Sequence, residues 1–343
     1  MDRNTKVIRS TDYDALSCRI SAHKKQYIQD EYLQHIIHGF EKFLKYEYKL
    51  SSRRILNSII NSVKLPIINR GTYIRTRSID LIIEKFLEKF ESDDVQIINL
   101  GAGSDTRPFK YLPTNEQISW VEFDFKDSTK LKNATIVTDP ILSKKIGIKP
   151  ISDIENLDNF YNGLNDSLIS DRYKLIAIDL RDIKTLQDIL NQFLNKDKPT
   201  LIISECMLCY TESLNSTEIL QTLKSFFTKT SIVIYDPIGG DDNFGNVMIE
   251  NLKIRNISMP SLLEFNTLDK YSQRLKDLGF QDVKIDNLNN IMNNWINDDE
   301  KRRISKLEFL DELEELNLLL EHYCLILTTC GFDWSEFDLE FTQ

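Results

Sequence analysis

The sequence lacks two features that would tie it to a membrane or to nucleic acid. No apolar run approaches the roughly 20 residues of a transmembrane helix, and the charged start over residues 1–6 is not followed by a signal-peptide apolar region. Basic residues are also outnumbered, 43 against 53 acids, for a formal net charge of −10. We therefore predict no general nucleic-acid or membrane binding and a cytoplasmic location, with a nuclear one also open.

Cysteine and histidine are scarce, at five and four residues. An odd number of cysteines without a signal peptide argues against a disulfide scaffold. Cys206 and Cys209 have C-x-x-C spacing, but no second cysteine pair accompanies them. Zinc binding and redox chemistry are therefore not favoured, and we predict no metal.

What the sequence does contain is an alternation of β-branched runs with helical patterns. The predicted strands are 95–100, 119–125, 173–179, 199–204 and 231–236, followed by a strand near 281–285 and a last strand over 322–329. Helices connecting strands force right-handed crossovers and a parallel sheet that is covered on both faces. We predict an α/β fold with a seven-stranded, mostly parallel sheet whose last strand is antiparallel.

The segments around the strands are predicted to be helical. Residues 1–92 form an N-terminal helical lid region, interrupted at Gly39 and at Ser51-Ser52, and residues 93–343 form the core. A helix over 268–278 ends at Gly279, and another covers 307–320. The acids of that second helix are expected to form a solvated face: Glu308, Asp311, Glu312, Glu314 and Glu315. The long crossover 127–172 is predicted to carry an insertion over one sheet edge, of the kind that often shapes a substrate pocket.

A glycine turn follows the first predicted strand. Gly101-Ala102-Gly103 lies where ligands approach the carboxyl edge of an open α/β sheet. Thr106 occupies the third small-residue position of the dinucleotide fingerprint, and Asp105 puts a carboxylate where a pyrophosphate would lie. Both features disfavour a dinucleotide and favour S-adenosylmethionine, which carries no phosphate.

Three acids follow three strands, at the same edge of the predicted sheet. Asp124 is placed to accept from ribose hydroxyls, Asp179 with Leu180 to meet an adenine edge, and Glu205 to hold the methionine ammonium. Each alone could be an incidental strand-end acid. Three of them after a glycine turn make coincidence a weaker explanation.

Several segments resemble the leucine carboxyl methyltransferase family, and together they cover nearly the whole chain in order. They are Thr11–Arg19, Asn69–Thr76, Asn99–Arg107, Ser204–Tyr210, Tyr235–Gly240, Phe244-Gly245 and Ser305–Leu316. The glycine motif alone is shared with bacterial O-methyltransferases and with tRNA-modifying enzymes. The stretch 38–64 matches the family poorly.

The resemblance implies a Rossmann-like class I methyltransferase fold with S-adenosylmethionine as cofactor and S-adenosylhomocysteine as product. It implies methylation of the C-terminal leucine α-carboxylate of the protein phosphatase 2A catalytic subunit, by a monomer. It assigns cofactor contacts to Arg19, Arg75, Gly101, Gly103, Asp124, Asp179, Leu180 and Glu205. The family usually has lysine where this chain has Arg19, so the charge is kept while the geometry differs.

An α-carboxylate is already ionised at neutral pH, with a reference pKa of about 3.5, so no general base is expected. Tyr210 and Arg181 are the candidates for orienting it. The alternatives are an O-methyltransferase acting on another carboxylate or a small molecule, a catalytically silent phosphatase partner, and a nicotinamide oxidoreductase.

Overall fold

An eight-stranded sheet runs through the computed structural model, which describes residues 3–311, 313–334 and 339–341. The strand order across the sheet is β3-β4-β2-β1-β5-β6-β8-β7. The strands are β1 (Val95–Leu100), β2 (Ile118–Asp124), β3 (Leu168–Ile169), β4 (Tyr173–Ala177), β5 (Thr200–Glu205), β6 (Thr230–Pro237), β7 (Gln281–Asn287) and β8 (Tyr323–Cys330).

The central strands are parallel because helices connect them and cover both faces. All six residues of β1 and all eight of β6 are buried, as expected for central strands that are covered on both faces. Leu100 pairs with Phe123 of β2 and with Ser204 of β5, so three carboxyl ends meet at one edge. That edge carries the glycine turn and the predicted acids.

The predicted fold class is confirmed, with one strand more than expected. The last strand, β8, is antiparallel to both of its neighbours, β6 and β7. The additional strand, β3, is only two residues long and pairs antiparallel with the edge strand β4. A two-residue strand has no periodicity from which it could be recognised in the sequence.

Seventeen α-helices lie in the described residues. They are α1 (Arg3–Lys24), α2 (Leu33–Phe43), α3 (Lys45–Tyr48), α4 (Ser52–Asn61), α5 (Pro66–Lys89), α6 (Arg107–Tyr111), α7 (Lys126–Thr138), α8 (Pro140–Lys145), α9 (Leu157–Gly163), α10 (Ile183–Phe193), α11 (Ser213–Phe226), α12 (Asn243–Ile254), α13 (Pro260–Glu264), α14 (Leu268–Asp277), α15 (Leu288–Trp295), α16 (Asp298–Ser305) and α17 (Leu313–Glu321). Of the helices described, none has the length and apolar character that crossing a membrane requires.

Five helices precede the first strand, as predicted for the N-terminal region. On α5 the apolar stripe Ile79, Ile82, Ile83 and Phe86 is fully buried. Gly39 does not interrupt a helix, contrary to expectation. It lies inside α2, where an added Cβ would be 2.1 Å from Thr135 Oγ1 of α7, so glycine permits a close helix–helix approach. The division of the chain at residue 92 into lid and core stays a prediction.

The segment 127–172 packs on the N-terminal helices rather than on the candidate site. His35 on α2 is 2.7 Å from Asp139, and the ring of Tyr46 stacks on that of Tyr161 with centroids 4.5 Å apart. Of this segment's described residues, only Ser128 lines the cavity introduced below.

The helix predicted over 307–320 is correct only in its second half, since α17 begins at Leu313. Glu312 lies outside the described residues, so the prediction of a solvated side chain there stays a prediction. Glu308 is not solvated as expected: it accepts from Asn69 Nδ2 at 2.7 Å and pairs with Lys25 at 3.2 Å. Glu314 and Glu315 are exposed.

Candidate active site

A cavity of about 360 Å³ lies at the carboxyl edge of the sheet, roofed by the N-terminal helices. All ten residues predicted from the sequence line it: Arg19, Arg75, Gly101, Gly103, Asp124, Asp179, Leu180, Arg181, Glu205 and Tyr210. They come from two helices and from the ends of four strands. The topology therefore brings together side chains that are up to 191 residues apart (210 − 19) in the chain.

The glycine turn has the backbone conformation that favours glycine. Gly101 and Gly103 have φ of +67° and +46°. A Cβ at Gly101 would lie 2.8 Å from Met207 Cγ, and one at Gly103 would lie 2.3 Å from Asp12 Oδ1. Both glycines are thus required by conformation and by contact.

Carboxylates accept from the amides of this turn. Gly103 N–H donates to Asp124 Oδ2 at 2.7 Å, Ser104 N–H donates to Asp12 Oδ1 at 2.9 Å, and Arg107 N–H donates to Asp105 Oδ1 at 3.0 Å. In a dinucleotide site such amides face the pyrophosphate. Here protein acids accept from them, which agrees with the expectation of a cofactor without phosphate.

Asp124 is held by backbone rather than by a cation. Its Oδ1 accepts from Phe125 N–H at 2.6 Å, opposite the bond from Gly103. Burial raises the pKa of Asp124, the Gly103 hydrogen bond opposes that shift, and the nearby charge of Asp12 raises the pKa further. The carboxylate of Asp124 is therefore more easily protonated than that of Glu205, whose pKa is lowered.

Glu205 is held by two arginines. Arg75 Nε donates to its Oε1 at 2.5 Å, and Arg107 Nη1 donates to its Oε2 at 2.8 Å. Burial alone would raise the pKa of Glu205, but Arg107 and Arg75 outweigh it and lower that pKa to about 2. Cys206 follows in the left-handed region, at φ +52°, and turns the chain away from β5.

The other guanidinium contacts fix the two cations that face the cavity. Arg75 lies over the ring of Tyr235 at 4.9 Å, and Tyr235 stacks on Tyr323. Arg19 donates to Asp30 and, at 2.6 Å, to Thr106 Oγ1. Both hydrogen bonds come from Nη2, while Nη1 lies 3.8 Å from Asp105 Oδ1, so contacts within the protein hold the Arg19 guanidinium in place.

Asp179 and Arg181 lie at the open rim. Arg181 Nε and Nη2 donate to the two oxygens of Asp179 at 2.8 and 2.6 Å, and both side chains are about 40% exposed. Leu180 is buried beside them. Tyr210 also lines the cavity and is half-buried. Its pKa is raised well above its usual value, chiefly by burial, so its hydroxyl stays protonated.

Sequence reasoning assigned no role to Asp12, Asp30 or Arg107. Arg107 Nε also donates to Asp80 at 2.8 Å, and its Nη1 to Asp105 at 3.1 Å, so one guanidinium joins three acids from three elements. Asp12 and Arg107 lie in segments that resemble the family. Their partners are 92 and 98 residues away, a pairing that no local pattern indicates.

In the part of the chain that the structure describes, no three histidine, cysteine or acidic side chains form a metal-binding group. Cys206 and Cys209 are free thiols, and burial raises the pKa of Cys209 well above its usual value.

Comparison with known proteins identifies related sequences along nearly the whole chain. The family profile described as leucine carboxyl methyltransferase matches residues 7–224. Leucine carboxyl methyltransferase 1 of Yarrowia lipolytica is 39% identical over 329 residues, covering 94% of this chain and 97% of that one.

Other fungal relatives agree. The proteins of the same name from Candida albicans and Schizosaccharomyces pombe are 35% and 36% identical, covering 95% and 97% of this chain and 92% and 97% of theirs. Among solved structures, a methyltransferase from Thermobifida fusca described as putative matches with a TM-score of 0.49 at 10% identity, covering 82% of this chain and 89% of that one. At that score the structural likeness adds nothing to the sequence relatives.

Proposed function

This chain belongs to the leucine carboxyl methyltransferase family and is a methyltransferase, and from that premise we propose its cofactor and substrate. The proposed reaction transfers the methyl group of S-adenosylmethionine to the C-terminal leucine α-carboxylate of the protein phosphatase 2A catalytic subunit, forming a methyl ester. The observation that carries the proposal is the convergence of all ten predicted residues on one cavity.

The residues present fit the cofactor. Arg75 and Arg19 supply cations for its carboxylate, Glu205 an anion for its ammonium, and Asp124 an acceptor for its ribose diol. Asp179 and Leu180 would meet the adenine. The glycine turn provides the close backbone approach, because a Cβ at Gly101 or Gly103 has no room.

When bound, the cofactor would supply an electrophilic methyl group on a sulfonium. The protein's part is to orient and to exclude water, since an in-line displacement gains most from fixed geometry, up to about 7–11 kcal/mol in favourable cases. The leucine carboxylate is ionised at neutral pH, with a reference pKa of about 3.5, so no residue has to remove a proton.

Tyr210 is the better placed of the two candidates for orienting the substrate. Tyr210 is half-buried and lines the cavity on the loop after β5, which begins beyond Glu205. Its raised pKa keeps the hydroxyl a donor at any physiological pH. The guanidinium of Arg181 makes a two-pronged pair with Asp179 at the rim instead. We propose that Tyr210 donates to the substrate carboxylate and that Arg181 acts on the nucleoside side.

The test is a methylation assay with labelled S-adenosylmethionine and three forms of the phosphatase catalytic subunit: intact, lacking its last leucine, and ending in leucine amide. We expect label in the intact subunit alone, and we expect mild base to release it as an ester. Equal labelling of the truncated subunit would refute the proposed acceptor. Labelling of small carboxylic acids in place of the phosphatase would favour the alternative, a small-molecule O-methyltransferase.

A further inference from the structure

Asp12, on the roof helix α1, closes the glycine turn from the N-terminal side. Its Oδ1 accepts from Ser104 N–H at 2.9 Å and from Ser104 Oγ–H at 2.7 Å. A Cβ added to Gly103 would lie only 2.3 Å from the same oxygen, so the two cannot both be accommodated. An acid 92 residues away in the sequence thus packs directly against the turn.

Asp12 and Asp124 hold successive amides of one turn. Asp124 accepts from Gly103 N–H, and Asp12 accepts from the next amide, that of Ser104. Two carboxylates on adjacent amides repel each other, and burial weakens the solvent screening that would reduce this repulsion. The position of α1 and the ionisation of Asp124 are thereby linked.

The charges around this carboxylate pair are few. Asp12 is faced by the Ser104 donors and, at longer range, by Lys132 and Arg9, and burial raises its pKa. Asp124 is faced by the amides of Gly103 and Phe125, and by Asp12 and Arg9. Arg9 forms an ion pair with Glu47 at 2.6 Å, and Lys132 forms one with Glu122 at 2.7 Å. Neither cation therefore forms a direct ion pair with Asp12 or Asp124.

We propose that Asp12 is a positioning residue for the cofactor: it holds the glycine turn through Ser104, and its negative charge acts on Asp124 across that turn. The inference rests on the proposed function, in which Asp124 accepts from the ribose hydroxyls. A carboxylate accepts from two hydroxyls only while it is ionised, so cofactor affinity is expected to fall as pH drops through the pKa of Asp124. Removing the charge of Asp12 should move that fall to lower pH.

The experiment measures S-adenosylhomocysteine affinity by calorimetry across the acid range, for wild type, Asp12→Asn and Asp12→Ala. Asparagine keeps the size and the acceptor oxygen, so at neutral pH we expect a loss of about twofold to fivefold, and about tenfold or more for alanine, which leaves Ser104 unpartnered. In Asp12→Asn the fall in affinity at low pH, called the acid limb below, should occur at a lower pH than in wild type. A purely structural role would not move it.

Two further variants separate the possible outcomes. Asp14→Asn removes the same charge from the same helix and from the lining of the same cavity. Asp14 pairs with Arg255 and not with Ser104, so the fall in affinity at low pH should follow that of wild type. Asp124→Asn should abolish the limb and lower the affinity at all pH values. An unshifted limb in folded Asp12→Asn overturns the inference and leaves the proposed function in place. Wild-type affinity in Asp124→Asn overturns the proposed ribose contact, and the inference with it.

Discussion

The two ends of the cavity bury the same functional group in opposite electrostatic settings. At the methionine end, Glu205 accepts from two arginines and its pKa falls to about 2. At the ribose end, Asp124 accepts from two amides beside a second carboxylate, and its pKa rises. Burial raises the pKa of both carboxyl groups, and only at Glu205 do two arginines outweigh it, so the partners decide why the two pKa values move in opposite directions.

The difference predicts how each end responds to change. The methionine end depends on charges that remain fixed at every physiological pH. The ribose end depends on backbone geometry and on a carboxylate that protonates more easily. Substitutions of charge should therefore act most strongly at the first end, and substitutions of backbone freedom at the second.

Arg75→Ala should have the largest effect. It removes the cation proposed for the cofactor carboxylate and leaves Glu205 with Arg107 alone. Truncating one partner of a buried charge pair costs about 2–5 kcal/mol in binding, and we expect a loss of about 100-fold or more in affinity here. Calorimetry with S-adenosylhomocysteine is the measurement. The matched control is Arg77→Ala on the same helix, whose guanidinium pairs with Glu84 and does not line the cavity. Undiminished affinity in a folded Arg75→Ala variant would show that Arg75 does not bind the cofactor.

Glu205→Gln should rank second, at roughly 10-fold to 100-fold, because a buried charge-assisted contact is replaced by a neutral one. The ratio of wild-type to variant affinity should stay constant from about pH 5 to pH 8, since a group with a pKa of about 2 does not titrate there. Glu84→Gln, which affects the Arg77 pair, is the control. A ratio that shrinks within this range would mean that Glu205 is not held by its arginines as described.

The same pair gives a stability prediction. The pKa of Glu205 is depressed in the folded state from its usual 4.5 to about 2. Its ionised form therefore stabilises the fold fully above about pH 4.5, and this contribution is lost as pH falls toward about 2. Thermal unfolding of wild type and Glu205→Gln should accordingly converge at the acid end. If the unfolding temperatures of the two proteins differed by the same amount at every pH, the lowered pKa of Glu205 would be contradicted.

The sequence predicted the two ends unequally, for a physical reason. Glycine turns and strand-end acids are local, and Gly101, Asp124 and Glu205 follow strands whose apolar runs identify them. Arg107, Asp12 and Asp30 act through tertiary pairs that no periodicity records. The prediction of a helix break at Gly39 is wrong, because glycine is unfavourable inside helices and only the close approach of Thr135 on α7 accounts for it here.

Gly103→Ala addresses the ribose end and should cost about tenfold in cofactor affinity. Its φ of +46° is strained for alanine, by roughly 1–2 kcal/mol, and the new Cβ would displace Asp12. Gly147→Ala is the control: its φ is +77°, but an added Cβ meets nothing within 4 Å, so it carries the strain without the contact. If both variants lose stability equally and neither loses affinity, the turn does not position the cofactor.

Arg181→Ala should have the smallest effect on cofactor binding. Its pair with Asp179 has the same two-pronged chemistry as a buried pair, yet both partners are about 40% exposed. Exposed pairs contribute about 0–1 kcal/mol, so we expect at most a fivefold rise in the KM for the cofactor and an unchanged kcat. Steady-state kinetics at two salt concentrations is the measurement, and Lys198→Ala, which removes an exposed pair with Asp94 outside the cavity, is the control. A large fall in kcat with KM unchanged would return Arg181 to the role of orienting the substrate carboxylate, and it would show that exposure at the rim does not decide which arginines matter here.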